Sequence, residues 1–223
     1  MWRLHHFALC PFSRKLRLLM SEKGVPFTLE EENPFAMREE FFLINPTGRT
    51  PALTHEDKDI TLADSRAIAE YFDETVEKNP MINGTAAGRA EIRRLVALFD
   101  ENFWGDVTAP LLSERYAKRV VARAAPDSRA LRDAMRLADQ HLDYIDYLVD
   151  HRRWLAGATM SLADLTAAAQ ISVADYLGGI DWRGHESARG WYSVFKSRPS
   201  FQPLLADRVD GVAPPRHYSD VNA

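Results

Sequence analysis

Two regimes of hydrophobic patterning divide the chain. In the first, short apolar or alternating runs are separated by turn formers and by single helical stretches. Leu4 to Leu9 is mostly apolar and predicts a buried strand. It stops at Cys10-Pro11, where helical spacing begins at once and runs through Lys23 to Gly24, a residue suited to ending a helix. Val25 to Glu30 alternates as a second strand, with Pro26 placing its start at an edge. Asn33-Pro34 then opens a short helix through Phe42. The turn formers from Asn45 to Pro51 lead into a third strand, and Asp57-Lys58-Asp59 turns it back into Ile60-Thr61-Leu62. Asp64-Ser65 caps a helix reaching about Val76. The order β-α-β-α-β-β-α predicts an α/β unit, a mixed sheet with helices on its faces.

The second regime is helical throughout. Residues 77–88 have linker composition, and beyond Gly88 the spacing predicts long helices over about 87–122, 127–150, 161–177 and 186–197, with a short one after Pro199. Pro110 falls inside the first and predicts a kink. Ser161-Leu162-Ala163-Asp164 is a capping box ahead of the run Leu165 to Leu177. That run is apolar on nearly every face, as in the buried central helix of an all-α unit. The resulting division is 1–78 for the α/β part, 79–86 for the linker, 87–208 for the all-α part and 209–223 for the tail. The tail has no periodicity and is expected to lie as a strap or to project.

Composition narrows the function classes. With 46% hydrophobic and 27% charged residues the chain has the make-up of a soluble globular protein, and no apolar run is long enough to span a membrane. The first residues, Met1-Trp2-Arg3-Leu4-His5-His6, lack a signal-peptide layout, and a single cysteine excludes an internal disulfide. A cytoplasmic location is expected. The net charge of −4 gives no indication of nucleic-acid binding. Residues 1–78 hold 10 Lys/Arg and 14 Asp/Glu, whereas the remainder is balanced at 18 of each but concentrates cations at Arg93, Arg94, Arg115 and Arg119. A solvated helix face is the ordinary explanation for such residues. The seven histidines show no metal-ligand spacing, and no metal site is expected. No glycine loop for phosphate is present.

Cys10 is the one residue with obvious chemistry. It immediately precedes a helix start, where unpaired amides and the helix dipole favour an anion and lower a thiol's pKa. In Cys10-Pro11-Phe12-Ser13 the second sulfur of a dithiol pair is replaced by Ser13, so the site could hold a mixed disulfide or a bound thiol but could not close its own disulfide. A buried structural cysteine is the alternative.

Three motifs in order resemble the cytosolic glutathione transferases over essentially the whole chain: Cys10-Pro11-Phe12-Ser13, Asn45-Pro46-x-Gly48-x-x-Pro51-x-Leu53, and Asp64-Ser65 at a helix start. The capping box of Ser161 and Asp164 is a structural fourth. The resemblance implies a thioredoxin-like N-terminal domain and an all-α C-terminal domain. It implies that Pro51 follows a cis peptide bond, and that Cys10 or Ser13 faces the sulfur of glutathione. Arg49 would reach a carboxylate, while Thr50, Pro51, Asp64 and Ser65 would hold the rest of the peptide. Glutathione is the ligand so implied, and no cofactor is required. If the chain is an enzyme, the resemblance implies a glutathione transferase or thiol transferase acting through Cys10 or Ser13.

Further segments in the second half resemble a non-enzymatic branch, the FzlA-type division factors, which bind the bacterial tubulin-like GTPase FtsZ. They are Glu91 to Leu95, Asp175 to Trp182, Lys196 to Phe201, Pro203 to Val209 and His217-Tyr218-x-Asp220. This resemblance implies a homodimer that binds FtsZ polymers at the division site, favours their curvature and supports constriction. On that reading, and from their charge rather than from a matching motif, Arg93, Arg94, Arg115 and Arg119 would face an acidic filament surface, and the tail, with Tyr218 and Asp220, would meet other division proteins.

Overall fold

The computed structural model describes residues 1–220. Four strands form one mixed sheet: β1 (Trp2–His6), β2 (Phe27–Glu31), β3 (Ala52–His55) and β4 (Thr61–Ala63), in the order β2-β1-β3-β4. β1 runs parallel to β2 and antiparallel to β3, which pairs antiparallel with β4. β1 stops earlier than its apolar run, because the Cys10 amide folds back onto the Phe7 carbonyl at 2.9 Å and turns the chain into α1 (Pro11–Lys23). Gly24 closes that helix in the left-handed conformation expected of it, at φ 69°.

α2 (Glu39–Ile44) starts later than Asn33-Pro34 suggested. There the Asn33 side chain accepts the Phe35 amide at 2.9 Å, and this local turn competes with helix. Met37, at φ 48°, interrupts the segment again before Glu39. α3 (Ser65–Thr75) is capped by Asp64.

From Ala86 the chain is helical to Val121: α4 (Ala86–Ala97), a π-helical stretch Leu98–Thr108, α5 (Ala109–Leu112) and a second π-helical stretch Ser113–Val121. The turns widen on both sides of Pro110, whose ring removes one helical hydrogen bond. α6 (Ser128–His151), α7 (Leu162–Tyr176), α8 (Glu186–Lys196) and α9 (Gln202–Ala206) follow. All 15 residues of α7 are buried, as its uniform apolarity predicted, and α1 packs along it. Its alanines let that neighbour approach closely. The capping box forms as expected: the Ser161 amide and hydroxyl both meet Asp164 at 2.9 Å.

The tail is a strap. Val209–Val212 and the short turn Arg216–Ser219 lie back against α7, α8 and α1. Val221–Ala223 lie outside the described residues.

Candidate functional site

The ends of β1, β3 and β4 bring the three motifs to one cleft of about 970 Å³. Cys10 is the N-cap residue of α1, with extended backbone, and Pro11 takes the first helical position, where a missing amide costs nothing. Its thiol donates to the Thr50 carbonyl, Sγ···O 3.3 Å. The Thr50–Pro51 peptide bond is cis. The loop that presents it is shaped by Asn45, which donates to the Arg49 carbonyl at 2.6 Å and accepts from the Thr47 amide and hydroxyl at 3.2 and 3.0 Å. Gly48 is needed in that loop: φ is 64°, and a Cβ there would lie 2.6 Å from the Phe42 ring. Asp64, at φ 72°, turns its carboxylate inward to accept the amides of Arg66 and Ala67 at 2.8 and 3.1 Å.

Cys10, Arg49, Thr50, Pro51, Asp64 and Ser65 all line this cleft. Ser13 does not; it is fully buried, with its Oγ 3.5 Å from the Phe7 amide. Of the two candidate sulfur-facing residues, only Cys10 lines the cleft.

The cleft lining also includes Phe12, Phe35, Arg66, Asp100 and Trp104, none of them among the motif positions assigned to the site. The Lys15 ammonium and the Asp100 carboxylate, both buried, meet at 2.5 Å and tie α1 to the first π-helical stretch. Arg66 reaches across to Glu101 at 2.8 Å. Phe12 and Trp104 pack at 5.0 Å between centroids, and Phe35 forms the other wall. Tyr116 sits behind that wall, 5.4 Å from both Phe7 and Phe35. The only available signal for Lys15 and Asp100 was their placement on the buried faces of amphipathic helices, which cannot show that they pair.

The four surface arginines are not one patch. Arg93 lies on α4, whereas Arg115 lies on the second π-helical stretch, with the first π-helical stretch and α5 between them. Arg93 is bidentate to Glu70 at 2.8 and 3.2 Å, and Arg94 to Glu91 at 2.8 and 3.0 Å. Hydrogen bonds from Arg94, with Arg152 beside it, hold Glu91 down to about 2, so that carboxylate stays charged and neutralises them. Arg115 donates to the Leu177 carbonyl at the end of α7. Arg119 is exposed.

Tyr218 corrects the expectation that it serves a partner. It is completely buried, its hydroxyl accepts from Arg14 at 2.8 Å and donates to the Leu204 carbonyl at 3.1 Å, and its ring meets Tyr176 edge-on. Asp220 is exposed, and its carbonyl accepts from Lys196 at 2.7 Å.

One grouping of possible metal ligands arises that spacing could not reveal. The imidazole of His185, at the start of α8, sits over the acidic face of α6, its Nδ1 2.7 Å from Asp146 and 3.8 Å from Asp143, its Nε2 3.0 Å from Asp139. Both ring nitrogens are engaged by carboxylates, the arrangement of a charged imidazolium clamp.

A family comparison fits this geometry. Residues 9–75 match the family described as glutathione S-transferase, N-terminal domain, the segment holding all three cleft motifs. FtsZ-localized protein A of Caulobacter vibrioides is 43% identical over 221 residues, 98% of this chain and 97% of its own length. The chain belongs to the FzlA family of glutathione-transferase-fold proteins. Among solved structures, FzlA from C. crescentus superposes with a TM-score of 0.96 at 42% identity, covering 100% of this chain and 99% of that one. A glutathione S-transferase from Rhodospirillum rubrum F11 superposes equally well, TM-score 0.96 at 43% identity, over 100% of both chains. The FzlA architecture thus spans the cleft, the helical domain and the strap. Among the described residues no helix is long and apolar enough to cross a membrane.

Proposed function

We propose that this protein is a division factor of the FzlA type: a cytoplasmic homodimer that binds FtsZ polymers at the division site, promotes their curvature and supports constriction without catalysis. The observation that carries this reading is the similarity to FtsZ-localized protein A over 98% of the chain. Of the basic residues offered to the filament, Arg119 is the one whose cation is exposed and makes no ion pair among the described residues. Co-sedimentation with GTP-polymerised FtsZ, at low and moderate salt, tests the proposal. Polymer-dependent pelleting that weakens with salt is expected, because exposed charges are screened within about 8 Å at physiological ionic strength. Failure of the folded protein to pellet would overturn it.

A second reading rests on Cys10 facing Thr50 in the cleft. In it glutathione lies along Thr50, with one carboxylate at the Asp64-Ser65 helix start and another at Arg49. The Cys10 thiolate attacks the sulfur of a glutathionylated disulfide; a new S–S bond forms, the old one breaks, and the electron pair leaves on the departing thiolate. Calorimetric titration with glutathione and an exchange assay test this. Cys10→Ser should abolish exchange and retain binding, whereas Asp64→Ala should weaken binding. Turnover unchanged in both variants would sink the enzymatic reading.

A further inference from the structure

A groove of about 390 Å³ lies between the C-terminal end of α6 and α8, remote from the cleft and formed by different elements. Val149, Trp154, Trp191 and Val194 supply its apolar surface, and Gly190 and Arg153 complete it. Gly190 is the unusual member. It stands in the middle of Glu186–Lys196, where glycine is a much poorer helix former than alanine. Its backbone has no left-handed angle to require glycine, and a Cβ built on it would meet nothing within 4 Å. Neither conformation nor internal packing therefore explains the residue. Its effect is to leave exposed helix backbone bare on the lining of the groove, one turn from Val194, which is 46% exposed.

The walls are fixed by contacts within the helical domain. The Trp154 and Trp191 rings both stand edge-on to the buried Phe195, at 5.8 and 5.2 Å, and the Trp191 indole donates to Asp164 at 3.3 Å. Aromatic anchors held in one orientation lose little entropy on binding. The only ionised side chain in the lining is Arg153, exposed and without an ion pair among the described residues. Ser187, at the same edge, is engaged by Asp150 at 2.7 Å.

We propose that this groove is a docking site for a short polypeptide segment of a partner protein, one that seats an apolar side chain over Gly190 and sets a carboxylate against Arg153. The glycine admits the side chain to the helix backbone, the two indoles flank it, and the cation selects an acidic neighbour. This site is independent of the FtsZ reading and of the cleft.

The test uses the full chain and labelled synthetic peptides in which one Leu, Phe or Trp is followed, one to four positions along, by Asp or Glu. Matched peptides carry Asn or Gln at the acidic position. Fluorescence polarisation should find acidic peptides that bind, with the matched amides weaker. Gly190→Leu, which fills the open space and improves helix propensity, should reduce binding about tenfold or more at an unchanged or raised melting temperature. Arg153→Glu should reduce binding to the acidic peptides and remove their advantage over the amides. Val194→Asp offers a second blocked groove should Gly190→Leu fold poorly. No binding by any peptide, or binding undiminished in the folded Gly190→Leu and Val194→Asp proteins, would overturn the proposal. So would conversion of a wild-type dimer to a monomer by Gly190→Leu, which would assign the groove to a second copy of the chain. Competition by anionic phosphatidylserine vesicles, equal in wild type and Arg153→Glu, would also overturn it.

Discussion

Two sets of cations ride on helices of this protein, and they have opposite uses. On α1, Arg14, Lys15, Arg17 and Lys23 are buried, and each meets a group supplied from elsewhere in the chain. Arg14 donates to the Ala8 carbonyl at 2.7 Å, to Ser172 at 2.9 Å and to Tyr218 at 2.8 Å. Arg17 grips Asp207 at 2.7 and 3.0 Å, Lys15 meets Asp100, and Lys23 meets Asp73 at 3.0 Å. On the helical run that begins at Ala86, Arg93 and Arg94 are half exposed and bound to carboxylates at the surface. As sequence, both sets are arginines and lysines at helical spacing. What separates them is where the partner comes from. The α1 cations fasten the sheet domain, the helical domain and the tail together, and the same helix presents Cys10 to the cleft.

The sharpest way to break this contrast is to remove the largest buried cation. Arg14→Ala should cost about 3–5 kcal/mol, because it strands Tyr218 and the Ala8 carbonyl without their donor. Denaturant unfolding measures it, and a loss below about 1 kcal/mol would place Arg14 with the surface set. Deleting Val212 to Ala223 should cost a similar amount, since burial of the Tyr218 ring alone is worth about 3–5 kcal/mol. Combined with Arg14→Ala it should be less than additive, because the two share one contact.

Acid should reveal a third effect of comparable size. Burial, with Arg17 nearby, pushes the buried His6 imidazole down to about 4 from 6.5. The unfolded chain then binds the proton more readily, so this contribution is fully present above pH 6.5 and is lost as pH falls towards 4. At 1.36 kcal/mol per pH unit the loss amounts to about 3 kcal/mol. His6→Leu should flatten stability over that window. His185 runs the other way: burial lowers its pKa, but hydrogen bonds to Asp139 and Asp146 outweigh this and raise it. Its contribution is fully present below pH 6.5 and fades as pH rises through the raised value, a slope that His185→Asn should remove.

Arg17→Ala should cost less, about 1.5–3 kcal/mol, the range for a hydrogen-bonded charge. The smallest effect belongs to the surface set: Arg93→Glu should change stability by less than about 1 kcal/mol, as exposed ion pairs do. A larger loss in that variant would show that the pair with Glu70 fastens α3 to α4 as firmly as the α1 contacts fasten the tail.

The local code was legible where residues act on their own backbone. Gly24, Asp64 and the Ser161–Asp164 box ended or began helices where their chemistry requires, and the uniform apolarity of Leu165 to Leu177 marked a helix buried on every side. The cleft was legible to the extent that Cys10, Thr50, Pro51, Asp64 and Ser65 belong to short motifs at element ends. Ser13 was not, because one position in a helix decides whether a hydroxyl faces the cleft or the interior. Asn33-Pro34 misled because the asparagine side chain bonded its own turn in place of starting a helix.

By itself the sequence determined the alternation of strands and helices, the caps and the order of the two domains, all governed by spacing and neighbouring residues. Only the tertiary structure decided that Arg14 and Tyr218 belong to one network, that His185 meets three aspartates, and that Gly190 opens a groove. Those pairings join residues tens to more than 200 positions apart, and whether a charged or aromatic side chain is buried against a partner or left in water depends on which surfaces the fold brings together.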